Sequence, residues 1–115
     1  MLGITEMPEV TETKWTGAPN SDGVDWRDVD GVVTPVKDQA SCGSCWSFGS
    51  VGTLEGTNYL QTGNLVRFSQ QALVDCSWGF GNNGCDGGED FRVYEFMMKH
   101  GGIPKENSYG PYLGM

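Results

Sequence analysis

Ten residues, Gly79-Phe80-Gly81-Asn82-Asn83-Gly84-Cys85-Asp86-Gly87-Gly88, interrupt the second half of the chain, and half of them are glycine. Glycine loses the most backbone freedom on ordering, so this stretch is unsuited to helix or strand and suited to close approach of main chain. Loops of that kind often carry function. The spacing on either side predicts helices. From Cys45 the residues Phe48, Val51 and Leu54 recur at helical intervals up to Gly63, a glycine suited to a left-handed cap. Glu55 falls on the same apolar face, where a buried, hydrogen-bonded structural acid is expected. Ser69 can cap a short helix through Gln70, Ala72, Leu73 and Val74 that stops near Cys76. A third helix is expected from Glu89 to about His100, with Gly101-Gly102 beyond it. Arg92, Glu95 and Lys99 form a narrow polar stripe with Glu95 to Lys99 in the favourable order, while Phe91, Val93, Tyr94, Phe96, Met97 and Met98 cover most of the remainder. Such a helix is expected to need burial on more than one side.

With 115 residues, 37% of them hydrophobic, the chain permits one small domain, which would bury only about two-thirds of its unfolded surface. Thirteen aromatic residues argue against disorder throughout. No apolar run is long enough to span a bilayer, and Met1-Leu2-Gly3-Ile4 lacks the regions of a signal peptide. A net charge of −8 makes nucleic acid and anionic membrane surfaces poor partners. The segment from Met1 to Asp30 holds seven acids against Lys14 and Arg27, so most of the acidity is N-terminal. Residues 1–23, with Pro8, Gly17, Pro19 and Gly23, read as an extended or mobile leader.

Cys42-Gly43-Ser44-Cys45 is a C-x-x-C, which three chemistries use. A thioredoxin-like redox pair would follow a strand, but Val32 to Gln39 is too interrupted to support one firmly. A structural zinc site would need a second close pair, yet eight residues separate Cys76 from Cys85. The flanking residues favour the third, a disulfide beside a nucleophile. Cys42-Gly43-Ser44-Cys45-Trp46 is the local signature of papain and cathepsin cysteine proteases. The resemblance to that family continues through Val24-Asp25-Trp26-Arg27, Val33 to Gln39, Leu65, Ser69 to Cys76 and Gly84-Cys85-Asp86-Gly87-Gly88, covering about four-fifths of the chain. The whole looks closest to cathepsin L-like members, including the two-subunit haemocyte cysteine proteinase of insects.

The resemblance implies an α+β papain-like fold, of which this chain is mainly the helical N-terminal subdomain, without the β-rich half. It implies a thiol endopeptidase acting through a Cys45 thiolate and an acyl-enzyme, with no metal or cofactor. Free thiols have a pKa of about 8.5, and a helix N-terminus such as the one Cys45 opens favours the thiolate. The Gln39 amide and Cys45 N–H are implied as oxyanion donors, Trp46 as an apolar wall, with plain core an equal reading for a tryptophan at a helix start, and Gly43, Gly87 and Gly88 as positions where substrate backbone lies close. A disulfide from Cys42 to Cys85 is implied, with the partner of Cys76 outside this chain. Glu89 and Asp90 stand where the family commonly has apolar residues lining the second subsite. They are expected either to make that subsite tolerant of Arg or Lys or to serve the helix N-terminus.

The family's base is a histidine, oriented by an asparagine, some 130 to 150 residues after the nucleophile. Counted from Cys45, that lies beyond Met115, and His100 reads as a helix cap. The chain alone is therefore expected to be inactive. Its implied partners are a peptide or protein substrate, the C-terminal half carrying His and Asn, and a prosegment or cystatin-like inhibitor. Residues 1–20 are expected to be prosegment tail or activation junction, and residues 21–115 the helical subdomain. The disulfides imply a lysosomal or secreted route, with a signal sequence outside this chain. The alternative is an inactive fragment or binding module of a papain-like protein.

Overall fold

The computed structural model describes residues 12–18 and 22–115. Residues 1–11 and 19–21 lie outside it, and with them most of the leader expected over residues 1–23 and of the prosegment tail or activation junction expected over residues 1–20. Four α-helices follow one another: α1 (Cys45–Thr62), α2 (Gln70–Cys76), α3 (Asp90–His100) and α4 (Glu106–Tyr109). Among the described residues no strand forms, and the ladder contacts are isolated bridges from Gly43 to Asp86 and from Phe68 to Lys105.

The ends of these helices follow from their residues. Gly63 closes α1 in the left-handed conformation, its N–H donating to the Tyr59 carbonyl at 2.7 Å. The Ser69 hydroxyl accepts the Ala72 N–H at 3.0 Å and caps α2. Gly101 closes α3 in the same way as Gly63 closes α1. A short 3-10 turn at Trp26–Asp28 precedes them. There the Asp25 carboxylate accepts from the Arg27 side chain and backbone N–H, which holds its pKa below the ordinary value. A second 3-10 turn, Trp78–Phe80, occupies the start of the glycine-rich segment, where no regular structure was expected. Trp78 lies over Gly84, supplying packing that the glycine count does not reveal.

Trp46, Val51, Leu73, Val74, Val93 and Phe96 form the core, so α1, α2 and α3 share it. Phe68, Phe80, Tyr94, Met97 and Ile103 pack around its edge. α2 is the most enclosed element, with Gln70 to Val74 all buried. α3, expected to need burial on more than one side, is covered in part within the described residues. Val93 and Phe96 are buried, but Phe91 is 40% exposed and Met98 57% exposed. Glu95 and Lys99 form no ion pair either; among the described residues such pairs join Arg27 to Asp25 and Lys37 to Glu55.

Glu55, 1% exposed, is held as a buried structural acid. It accepts the Phe68 N–H at 2.9 Å and the Thr34 hydroxyl at 3.2 Å, and Lys37 Nζ lies 3.5 Å away. One carboxylate thus ties α1 to the segment before α2 and to the chain before the C-x-x-C. Residues 103–106 return along residues 67–69, with Ser69 N–H to the Pro104 carbonyl at 3.0 Å and Glu106 N–H to the Arg67 carbonyl at 2.9 Å. In α4, Tyr109 donates to Asp75 of α2, and this bond raises the phenol pKa well above its ordinary value.

Candidate active site

The disulfide joins Cys42 to Cys85, so the C-x-x-C is neither a redox pair nor half of a zinc site here. Among the described residues, no group of three or more metal-ligating side chains comes together. The bridge spans 43 positions, and the entropic model assigns a loop of that size about 4 kcal/mol. Its local effect is to hold the glycine-rich segment against the start of α1. The Gly43 N–H reinforces this contact, donating to the Cys85 carbonyl at 2.8 Å.

Cys45 is a free, exposed thiol in the first turn of α1. Of the first N–H groups of this helix, those of Ser44 and Ser47 donate to the Cys42 and Ser44 carbonyls, which leaves those of Cys45 and Trp46 without an intrahelical acceptor. A groove of about 530 Å³ opens there, lined by Cys45, Trp46, Gly49, Ser50 and Thr53 on one side and Gly88, Glu89, Asp90 and Tyr94 on the other. Five of the expected site residues, Cys45, Trp46, Gly88, Glu89 and Asp90, therefore meet around one depression. Thr53 and Tyr94 are additions that their sequence positions gave no chemical reason to single out.

Gln39 is not among the residues that line this groove. Its side-chain amide donates to the Cys42 carbonyl at 2.8 Å, and the Ser44 N–H donates to the same oxygen at 2.8 Å. An amide nitrogen carries two N–H bonds, so one remains for another acceptor. Trp46 is chiefly a core residue, 6% exposed, with its indole N–H donating to the Gly84 carbonyl at 3.1 Å.

The glycines have reasons within the chain itself. A Cβ on Gly43 would lie 2.4 Å from the Cys85 carbonyl oxygen. One on Gly88 would lie 2.7 Å from both the Trp46 ring and Asn82 Oδ1. Gly87 takes φ of +108°, and its Cβ would meet nothing within 4 Å. Close packing of the wall explains Gly43 and Gly88 before any substrate is considered.

Asn82 is the organiser of that wall that the sequence reading missed. It is 1% exposed, donates to the Ser77 hydroxyl at 3.0 Å and accepts the Glu89 N–H at 2.9 Å. An asparagine among glycines reads as a turn residue, and only its burial reveals that it joins the end of α2 to the start of α3. Glu89 makes no capping bond with its side chain, whereas Asp90 Oδ1 accepts the Phe91 N–H at 2.8 Å. Both acids are exposed at the groove.

His100 ends α3, its ring tilted against Phe96 with centroids 4.5 Å apart and edge-on to Phe80 at 5.9 Å. Ten helical steps separate it from Asp90 at the groove, a rise of about 15 Å. Cys76, the other free thiol, lies at the opposite end of a different helix, 3.9 Å from the Tyr109 hydroxyl.

Residues 20–115 match the description "Papain family cysteine protease". The chain is 54% identical over 91 residues to "Probable cysteine protease RDL2" of Arabidopsis thaliana, covering 79% of this chain and 25% of that protein. It is 47% identical over 115 residues to "Cathepsin L" of Sarcophaga peregrina, covering 100% of this chain and 32% of that protein. With "Cathepsin L2" of Homo sapiens the identity is 50% over 92 residues, covering 80% and 27%. The chain thus spans about a quarter to a third of the length of these relatives. Among solved structures, the Amb a 11 cysteine protease, a major ragweed pollen allergen in its proform, superposes with a TM-score of 0.73 at 53% identity, covering 79% of this chain and 27% of that one. The disulfide-tethered wall, the free thiol at a helix start and these likenesses agree, and the chain belongs to the papain family of cysteine proteases.

Proposed function

We propose that this chain supplies the nucleophile and one cleft wall of a thiol endopeptidase. Cys45 attacks the peptide carbonyl, the amine leaves with a proton delivered by an imidazolium, and water releases the acyl group from sulfur. The oxygen that becomes negative is met by the Cys45 N–H and the free N–H of the Gln39 amide. The histidine base and its orienting asparagine come from polypeptide outside these 115 residues, and the isolated chain is inactive. The observation that carries this reading is the exposed Cys45 thiol at the head of α1, facing the groove, with the chain's single histidine packed on aromatic rings at the far end of α3 and absent from the groove lining. The substrate backbone lies along Gly87 and Gly88, residues 1–20 belong to a prosegment or its activation junction, and Cys76 pairs outside the chain. The site belongs to a lysosomal or secreted enzyme.

An epoxysuccinyl thiol inhibitor tests it. Intact mass should show one adduct, on Cys45, when the His-bearing half is present, and none on the isolated chain. Equal labelling of both preparations would defeat the proposal.

Glu89 and Asp90 give the second subsite tolerance for a basic side chain, Glu89 foremost because its carboxylate is free of capping. Exposed ion pairs contribute up to about 1 kcal/mol. Replacing Glu89→Gln should therefore lower kcat/KM for a fluorogenic dipeptide with Arg at that subsite about fivefold, leaving the Leu substrate unchanged. Equal effects on Arg and Leu substrates would show that the acids serve only the helix.

A further inference from the structure

We propose that Tyr112 is a positioning residue that fixes the distance between the two oxyanion donors. The inference rests on the roles proposed above for Gln39 and Cys45. One phenol hydroxyl meets the supports of both. It donates to the Gln39 carbonyl at 2.7 Å and lies 2.7 Å from the Ser44 hydroxyl. Ser44 is fully buried and stands at the N-cap of α1, immediately before Cys45. A serine there usually caps its helix. Ser44 makes no such side-chain bond, and its hydroxyl is turned to Tyr112 instead.

The segment between the two donors needs such a tie. Ala40 adopts φ of +56°, the sole non-glycine residue described with positive φ. For an alanine this conformation is costly and persists only where the surroundings impose it. Gly114 lies on that alanine, the position of a Cβ there being 3.7 Å from the Ala40 Cβ.

Tyr112 is itself held from the far side. Its ring packs edge-on against Phe48 of α1 with centroids 4.9 Å apart. The residues after it are anchored by Gln71, a buried side chain of α2. Gln71 accepts the Leu113 N–H at 2.8 Å and donates to the Met115 carbonyl at 2.9 Å. A continuous path therefore runs from the interior of α2, through residues 113–115, to the Tyr112 hydroxyl and on to both donors. Tyr112 is half-buried and does not line the groove, so it acts through Gln39 and the head of α1 without touching substrate.

The test is Tyr112→Phe in the complete protease. Phenylalanine keeps the ring against Phe48 and removes only the hydroxyl. Losing an oxyanion donor outright lowers kcat by 10²- to 10³-fold, so displacing the pair should lower it about tenfold, with KM within about twofold. A peptide aldehyde, whose adduct with the thiol carries an oxyanion, should bind about tenfold more weakly. Alkylation of Cys45 by iodoacetamide, which builds no oxyanion, should keep its rate, and the melting temperature should stay within a few degrees. Unchanged kcat and aldehyde affinity would overturn the inference. So would a parallel fall in kcat, alkylation rate and melting temperature, which marks a merely structural hydroxyl. If the unmodified protease itself fails to bind the aldehyde through Cys45, the oxyanion reading of Gln39 and Cys45 falls, and this inference falls with it.

Discussion

Alanine in place of Cys45 should lower peptide hydrolysis by the complete protease on the order of 10⁶-fold, the scale of loss when a hydrolase loses its nucleophile. The fold should be unaffected. Cys45 is exposed and outside the disulfide, and surface substitutions of this kind usually change stability by less than about 0.5 kcal/mol. Retained activity above one part in about a thousand would exclude Cys45 as nucleophile. Cys76 provides an internal comparison, because it is the other free, exposed thiol. Cys45 opens α1, whose N–H end favours negative charge, whereas Cys76 closes α2. Each helix end contributes about 0.3 to 1 kcal/mol at an exposed position, so iodoacetamide should alkylate Cys45 roughly three- to thirtyfold faster than Cys76 in the isolated chain. Peptide mapping of the singly alkylated product reads this ratio directly. A preference for Cys76 would show that the helix end at Cys45 contributes nothing to its reactivity.

What the sequence disclosed and what it concealed divide along separation in the chain. The first three helices were legible because their signals are local: a recurrence of three and four residues, a serine before α2, a glycine after α1 and after α3. The candidate nucleophile proposed above, Cys45, was legible because C-x-x-C and its flanks fall within ten residues. The Gln39 amide was singled out by its place in the motif, yet its bond to the Cys42 carbonyl emerges only from the folded loop. Contacts with distant partners were hidden. Tyr112 sits in a short stretch with Pro111 and Gly110, without periodicity, and its acceptor lies 73 residues earlier. α4 has four residues, too few for a repeating pattern, and depends on Asp75 and on the pairing of residues 103–106 with 67–69. The glycines show a further limit. Composition says that a Cβ is unwelcome at Gly43 and Gly88, but only coordinates show that the obstacles are the Cys85 carbonyl and the Trp46 ring.

What covers α3 was hidden for a related reason. A helical wheel reports which faces are apolar, and what covers them depends on neighbours. Inside these 115 residues the neighbours reach Val93 and Phe96, while Phe91 and Met98 stay open. The same wheel on α1 placed a carboxylate on the apolar face, where propensity alone would call it an error. Glu55 shows that a buried acid is consistent with a well-formed core when every oxygen has a donor.

Glu55→Ala should therefore destabilise the chain by about 3 kcal/mol, more than a surface carboxylate could account for. Removing the side chain strips the Phe68 N–H and the Thr34 hydroxyl of their acceptor and leaves Lys37 without its counter-ion. An unsatisfied buried donor costs about 1 to 3 kcal/mol, and Lys37, with 24% of its side chain exposed, regains part of its hydration. Two further variants separate the contributions. Glu55→Gln keeps a carbonyl oxygen for Phe68 and the full side-chain length, so it should lose only about 1 kcal/mol. Glu55→Met fills the volume with no acceptor at all, so it should fall close to alanine if hydrogen bonding dominates and close to Gln if packing dominates. Urea denaturation of the three variants at one pH gives the order. Gln nearest the parent, with Met and Ala together well below it, is the expected result. Met as stable as the parent would mean that Glu55 is tolerated in the core without holding it together.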